Sequence, residues 1–166
     1  MQEKQAYEQT VLSIYIFARG IGFVFFESPL APYDWGTKEI RGENAGRNMV
    51  RVVTRLIKQY RPDQVVLEDT EATDTRRGPR ARLLNQQIRN AVLGLGQQPN
   101  LISRPDIRLA FARTGAQTKD AIAKMIASKI DAFAPLLPPT RKPWDPEHRR
   151  MALFDAASMG LTYYVR

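Results

Sequence analysis

Apolar positions cluster in two closely spaced runs near the start of the chain, residues 11 to 17 (VLSIYIF) and 21 to 27 (IGFVFFE), rich in β-branched and aromatic side chains. The intervening Ala18-Arg19-Gly20 is short enough to turn one strand back on the next, so the pair predicts a hairpin. A third strand is expected over residues 34 to 41, reached through Pro29 and Pro32, which completes a three-stranded meander. The period then changes. Val50, Val53, Leu56, Ile57 and Tyr60 recur at helical spacing between Glu43 and Tyr60, and Arg61-Pro62 ends the pattern. Val65-Val66-Leu67 is too brief for a helix and reads as a buried strand that ends in Glu68 and Asp69. Leu83, Leu84, Ile88, Val92 and Leu95 mark a second helix stopped by Gly94 or Gly96, and Asn100 to Ser103 a fifth strand. Ile122, Met125, Ile126 and Ile130 place another helix from about Thr118. Five prolines between Ala134 and Pro146 require a loop, and Glu147 to Tyr164 forms the last helix.

This order of elements predicts an α/β fold: a five-stranded mixed sheet, three strands in an antiparallel meander and two parallel, with helices on both faces. At 166 residues one domain, 1–166, is expected. Arg19, Gly20 and Gly22 interrupt the apolar stretch from Val11 to Phe26, which excludes it as a membrane span. Residues Met1 to Gln5 lack the basic and apolar regions of a signal peptide, so a cytoplasmic location is the default.

Charge narrows the partners. Lys and Arg number 25 against 17 Asp and Glu, a net charge of +8. That balance favours a polyanion, nucleic acid first and an anionic membrane surface second. There are no cysteines and one histidine, which excludes thiolate zinc sites and His-rich metal sites. A metal here would be a hard ion held by oxygen, such as Mg²⁺ or Mn²⁺. Glu68 is the first candidate ligand, because space beyond the carboxyl ends of strands in open α/β sheets is where ligands bind.

The element order, with VLSIYIFARGIG at 11 to 22, PDQVVLED at 62 to 69 and FDAASMGL at 154 to 161, resembles the ribonuclease H-like superfamily, and within it the RuvC branch of Holliday-junction resolvases. The resemblance implies phosphodiester hydrolysis by two Mg²⁺ ions about 3.5 to 4 Å apart, held by an acid on strand one, an acid ending strand four and two acids on the last helix. Glu68 matches the strand-four acid and Asp155 the last helix acid. Tyr15 stands where the strand-one acid belongs, and a phenol with a pKa near 10 is a poor Mg²⁺ ligand. Ala152 stands one turn before Asp155, leaving Asp145, Glu147, His148 and Asp69 as substitutes for the missing ligands. Lys119, following Gly115, resembles the family's phosphate-contacting lysine, with Arg113 nearby.

Arg76, Arg77, Arg80 and Arg82 follow the Glu68 strand and read either as phosphate contacts or as a solvated loop from Thr75 to Arg82. The same choice attends Arg47, Arg51, Arg55 and Lys58 along one face of the first helix. The resemblance implies a nucleic-acid-binding protein: a Holliday junction resolvase or structure-selective endodeoxyribonuclease with an altered metal site, using Mg²⁺ or Mn²⁺, acting on branched or duplex DNA and paired as a homodimer. The alternative is a catalytically inactive DNA-binding or assembly protein on the same scaffold.

Overall fold

Alternate residues of the first two strands face different helical layers, which is why both strands read as nearly continuous apolar runs. In the computed structural model, which describes residues 7–72 and 76–166, the strands are β1 (Val11–Phe17), β2 (Gly20–Ser28), β3 (Ala31–Glu39), β4 (Gln64–Glu68) and β5 (Asn100–Ile102). They form one sheet in the order β3-β2-β1-β4-β5. The pairs β1/β2 and β2/β3 are antiparallel, and β1/β4 and β4/β5 are parallel. The expected mixed sheet is therefore present.

Leu12, Ile14, Ile16, Val65 and Leu67 pack with Met49, Val53, Leu56 and Ile57 of α1 (Ala45–Tyr60) and Leu84, Ile88 and Val92 of α2 (Pro79–Gly94). Val11, Tyr15, Val24, Phe26 and Val66 pack instead against α3 (Arg104–Phe111), α4 (Lys119–Lys129) and α5 (Met151–Val165). A sheet covered on both sides loses the apolar-polar alternation of a half-solvated one.

Helix α5 lies unusually close to the sheet. A Cβ on Gly22 would meet the Ala152 carbonyl oxygen at 2.3 Å, and one on Gly160 would meet the Phe26 ring at 2.7 Å. Between them the buried Ser13 Oγ donates to the Ala156 carbonyl at 2.6 Å. Gly22, Ser13, Ala156 and Gly160 thus let the helix backbone approach β1 and β2, which sets the depth at which Asp155 enters the sheet edge.

Two boundaries and one added element differ from the sequence expectation. Strand β3 starts at Ala31, before the expected residue 34, pairing through Pro32 at a sheet edge with irregular register beside Phe26. The last helix starts at Met151 rather than Glu147, so Glu147 and His148 belong to the loop. Helix α3 is additional; its eight residues are shorter than the apolar periodicity can register, and a capping box fixes it, with Ser103 Oγ accepting from Asp106 N and Asp106 Oδ2 from Ser103 N. Among the described residues no helix is long and apolar enough to cross a membrane.

If close approach of α5 organises the sheet, Gly22→Ala should cost about 1–3 kcal/mol, lowering the melting temperature by roughly 2 to 12 °C. Gly94→Ala, whose Cβ meets nothing within 4 Å, should leave it unchanged or slightly raised; equal losses in the two variants would refute the packing account.

Candidate functional site

Strands β1 and β4 run parallel with Ile14 opposite Leu67, so Tyr15 and Glu68, the next residue of each, come side by side at the carboxyl edge. Both face α5, since Glu68 shares its strand face with Val66 and Tyr15 with Val11. Helix α5 brings Asp155 to the same place. Glu68, Asp155 and Tyr15 are all buried, which leaves two carboxylates with little water to solvate them. Burial at this level is tolerated when charges are paired.

Each carboxylate is paired, and the partners come from three other segments. Arg77 Nε lies 3.2 Å from Glu68 Oε2. That contact is ionic rather than an aligned hydrogen bond, for neither atom has a hydrogen-bond partner. The rest of the Arg77 guanidinium is well held: Nη1 donates to the Tyr15 hydroxyl at 3.0 Å, Nη2 donates to the Ile16 carbonyl, and the group lies 5.0 Å from the Tyr15 ring centroid. Arg104 Nη2 donates to Asp155 Oδ1 at 2.6 Å, and Lys119 Nζ donates to Asp155 Oδ2 at 3.1 Å and to Glu147 Oε1 at 2.9 Å. Lys119 also lies 5.4 Å from the Tyr15 ring. Tyr15 is thus the neutral floor on which two cations rest.

The electrostatics follow from this packing. Burial, with Asp155 adding to it, pushes the Tyr15 hydroxyl up to about 12 and keeps it protonated. Burial raises the Glu68 carboxyl above the usual glutamate range, an effect that Arg77 and Arg104 oppose and Asp155 reinforces. Burial disfavours the Lys119 ammonium, yet Asp155 and Tyr15 more than offset it and hold its pKa above the ordinary lysine value.

Above this floor opens a cleft of about 470 Å³, lined among others by Arg76, Arg77, Arg104, Arg108, Lys119 and Glu147. Among the described residues five cationic side chains line it, against three negative charges from Glu68, Glu147 and Asp155, so cations outnumber acids there.

A divalent ion does not fit this donor set. Both Asp155 oxygens already accept from side-chain cations, and Glu68 faces Arg77. Hard cations need several oxygen ligands, and among the described residues no three His, Cys, Asp or Glu side chains stand together to supply them. A unit charge 4 Å from another of its own sign costs about 4 kcal/mol at an effective dielectric of 20, so an added dication would have to displace the arginines and the lysine. The ligand roles expected of Glu68 and Asp155 meet that physical obstacle.

The other expected substitutes are each engaged by another partner. Asp69 accepts from Glu71 N, Asp145 accepts from Lys142 N within its own turn, and Glu147 is bound to Lys119. His148 Nδ1 accepts from Arg150 N, and burial together with Arg150 and Arg149 lowers its pKa.

Arg76, Arg77 and Lys119 converge on the cleft, whereas other candidate residues do not. Arg80 borders a separate groove with Glu43 and Arg47, Arg82 is exposed on α2, and Arg113 lies beside Asp106 and Arg166 away from the cleft. Thr75 of the same loop and the N-terminal Met1 to Gln5 lie outside the described residues. The stripe of Arg47, Arg51, Arg55 and Lys58 is exposed on α1, across the sheet from Asp155. Arg104 and Arg108 were not anticipated. The signal was Ser103-Arg104-Pro105-Asp106, a capping-box spacing directly after a strand, which places Arg104 on the first turn of a helix at the binding edge.

No family model matches the chain, and no curated protein matches it significantly. Among solved structures it is similar to Thermus thermophilus RuvC in complex with a Holliday junction substrate, at 16% identity over 93% of this chain and 92% of that one, with a TM-score of 0.65. A second T. thermophilus RuvC structure is 14% identical over 94% of both chains, TM-score 0.66. The yeast mitochondrial Holliday junction resolvase Ydc2 is 13% identical over 93% of this chain and 78% of that one, TM-score 0.58. The chain shares their fold over nearly its whole length.

The pairing predicts a titration. Glu68 binds its proton more tightly folded than unfolded, so its contribution to stability falls as pH rises between the ordinary glutamate pKa and the raised one. In carboxyl ¹³C NMR, Arg77→Met should move the Glu68 midpoint further up and widen that window. An unchanged or lower midpoint would contradict the ion pair.

Proposed function

We propose that this protein is a RuvC-like nucleic-acid-binding protein that takes branched or duplex DNA against its cleft by phosphate contacts, with the acidic centre held closed by its own cations rather than armed for cutting. One observation carries the reading: Glu68 and Asp155, the two residues that the resemblance matches to acids of strand four and the last helix, are ion-paired to Arg77, Arg104 and Lys119. The net charge of +8, the surplus of cations lining the cleft and a fold shared with a RuvC bound to a Holliday junction substrate support it. A homodimer accompanies the reading, because a four-way junction presents paired strands related by a twofold axis.

The second reading is a resolvase with an altered, metal-dependent centre using Mg²⁺ or Mn²⁺. Glu68 and Asp155 favour it by meeting on one face of the sheet. It requires Arg77, Arg104 and Lys119 to swing away from the acids, with Lys119 passing to a phosphate. The first reading asks for no such movement.

A four-way junction incubated with the protein and Mg²⁺ or Mn²⁺ distinguishes them. Binding without nicking is the expected result; nicking that disappears in Glu68→Gln would establish the resolvase. Affinity should fall at least about 100-fold between 50 and 200 mM salt, and Arg76→Ala should flatten the logarithmic salt slope by about one. A salt-independent affinity, or none at low salt, would remove DNA as the partner.

A further inference from the structure

Trp144, in the loop that leads to Glu147 at the cleft, has its surface 77% exposed. Single exposed apolar residues are ordinary, so exposure alone decides nothing. The backbone beneath it is more telling. Asp145 N donates to the Lys142 carbonyl at 3.0 Å, Lys142 N donates to Asp145 Oδ2 at 3.1 Å, and Arg141 Nη1 donates to the Asp145 carbonyl at 3.1 Å. Asp145 thus closes a four-residue turn with Pro143 and Trp144 at its tip. Pro138, Pro139 and Pro146 restrict the chain on either side. The indole is held out into solvent by a fixed support, so engaging a planar ligand would cost little further ordering of the backbone.

The surroundings select the ligand. Lys142 Nζ lies 5.4 Å from the indole ring centroid, and Arg141, Arg149 and Arg150 share the segment. Three residues on, Glu147 borders the cleft and is tied to Lys119 at 2.9 Å. Three residues span at most about 11 Å, so the Trp144 backbone lies within that reach of Glu147 at the cleft edge. A flat aromatic face beside Lys142, in an arginine-rich loop that leads to the cleft, matches an unstacked base flanked by phosphates.

Resting on the DNA-binding reading above, we propose that Trp144 is a stacking platform for an unpaired or unstacked nucleobase, and that this subsite makes the protein favour interrupted over continuous duplexes. Phosphate contacts cannot supply that preference by themselves, since they are common to both kinds of DNA.

The test compares a duplex carrying a three-base bulge with a fully paired duplex of equal length, at one salt concentration. Trp144→Ala should lose about 10- to 100-fold in affinity for the bulged duplex and less than about threefold for the paired one, while Trp144→Phe keeps most of the preference. In a Trp35→Phe background, where Trp144 is the remaining tryptophan, the bulged duplex should quench emission and the paired one should not. If wild-type protein binds DNA but Trp144→Ala leaves both affinities unchanged or lowers them equally, stacking is overturned and DNA binding stands. If wild-type protein binds neither duplex, both readings fall.

Discussion

Two carboxylates are buried side by side at the carboxyl edge of the sheet, and the local structure is arranged to neutralise them. Removing one partner of a buried ion pair costs about 3–5 kcal/mol, because it leaves the other charge without water or counter-charge. The loop before α2 supplies Arg77, the first turn of α3 supplies Arg104, and the first turn of α4 supplies Lys119. Three segments far apart in sequence are thereby anchored to β4 and α5 at the edge where a ligand would enter. The ion pairs define the cleft as well as its charge: the same side chains form its floor and its walls.

That arrangement depends on a constraint of shape. Asp155 reaches the sheet edge because α5 descends onto β1 and β2, where Gly22, Ser13 and Gly160 leave room for helix backbone. Ala152, one turn earlier, has its carbonyl against the site of a Gly22 side chain. Depth and chemistry are coupled here, for the packing that buries Asp155 also strips its water and makes Arg104 and Lys119 necessary.

Much of the fold was legible because the strands are buried on both faces and the helices follow regular apolar spacing. Glu68 stood out at the end of the three-residue apolar run Val65-Val66-Leu67, and Lys119 through its resemblance to the family's phosphate-contacting lysine. Helix α3 escaped because eight residues with two core side chains, Ile107 and Phe111, give too short a period. Its capping box was the available signal, and Arg104 was missed with it. The ion pairs were not legible at all. Sequence showed an arginine-rich loop and two separate acids, but whether Arg77 turns outward to a phosphate or inward to Glu68 depends on contacts across 62 residues, between Arg77 and Tyr15. The same limit scattered Arg80, Arg82 and Arg113, which share a sequence neighbourhood with site residues and face elsewhere.

Tyr15 ties the charge arrangement together. A carboxylate there would add a third negative charge beside Glu68 and Asp155, and the nearest cations, Arg77 and Lys119, already lie over its ring. Those two side chains would be drawn to the new acid before any ion from solution, since they are tethered within a few ångströms and need no dehydration as costly as that of a small dication. An acid at residue 15 is therefore insufficient for a metal centre in this chain. The ring and its cations form one unit: the neutral phenol permits Arg77 to lie flat beside Glu68, and Arg77 in turn makes a buried Glu68 tolerable. A dication could enter only if acid and cation positions changed together, because Arg77 and Lys119 are held by the same acids that a metal would need and by the Tyr15 ring.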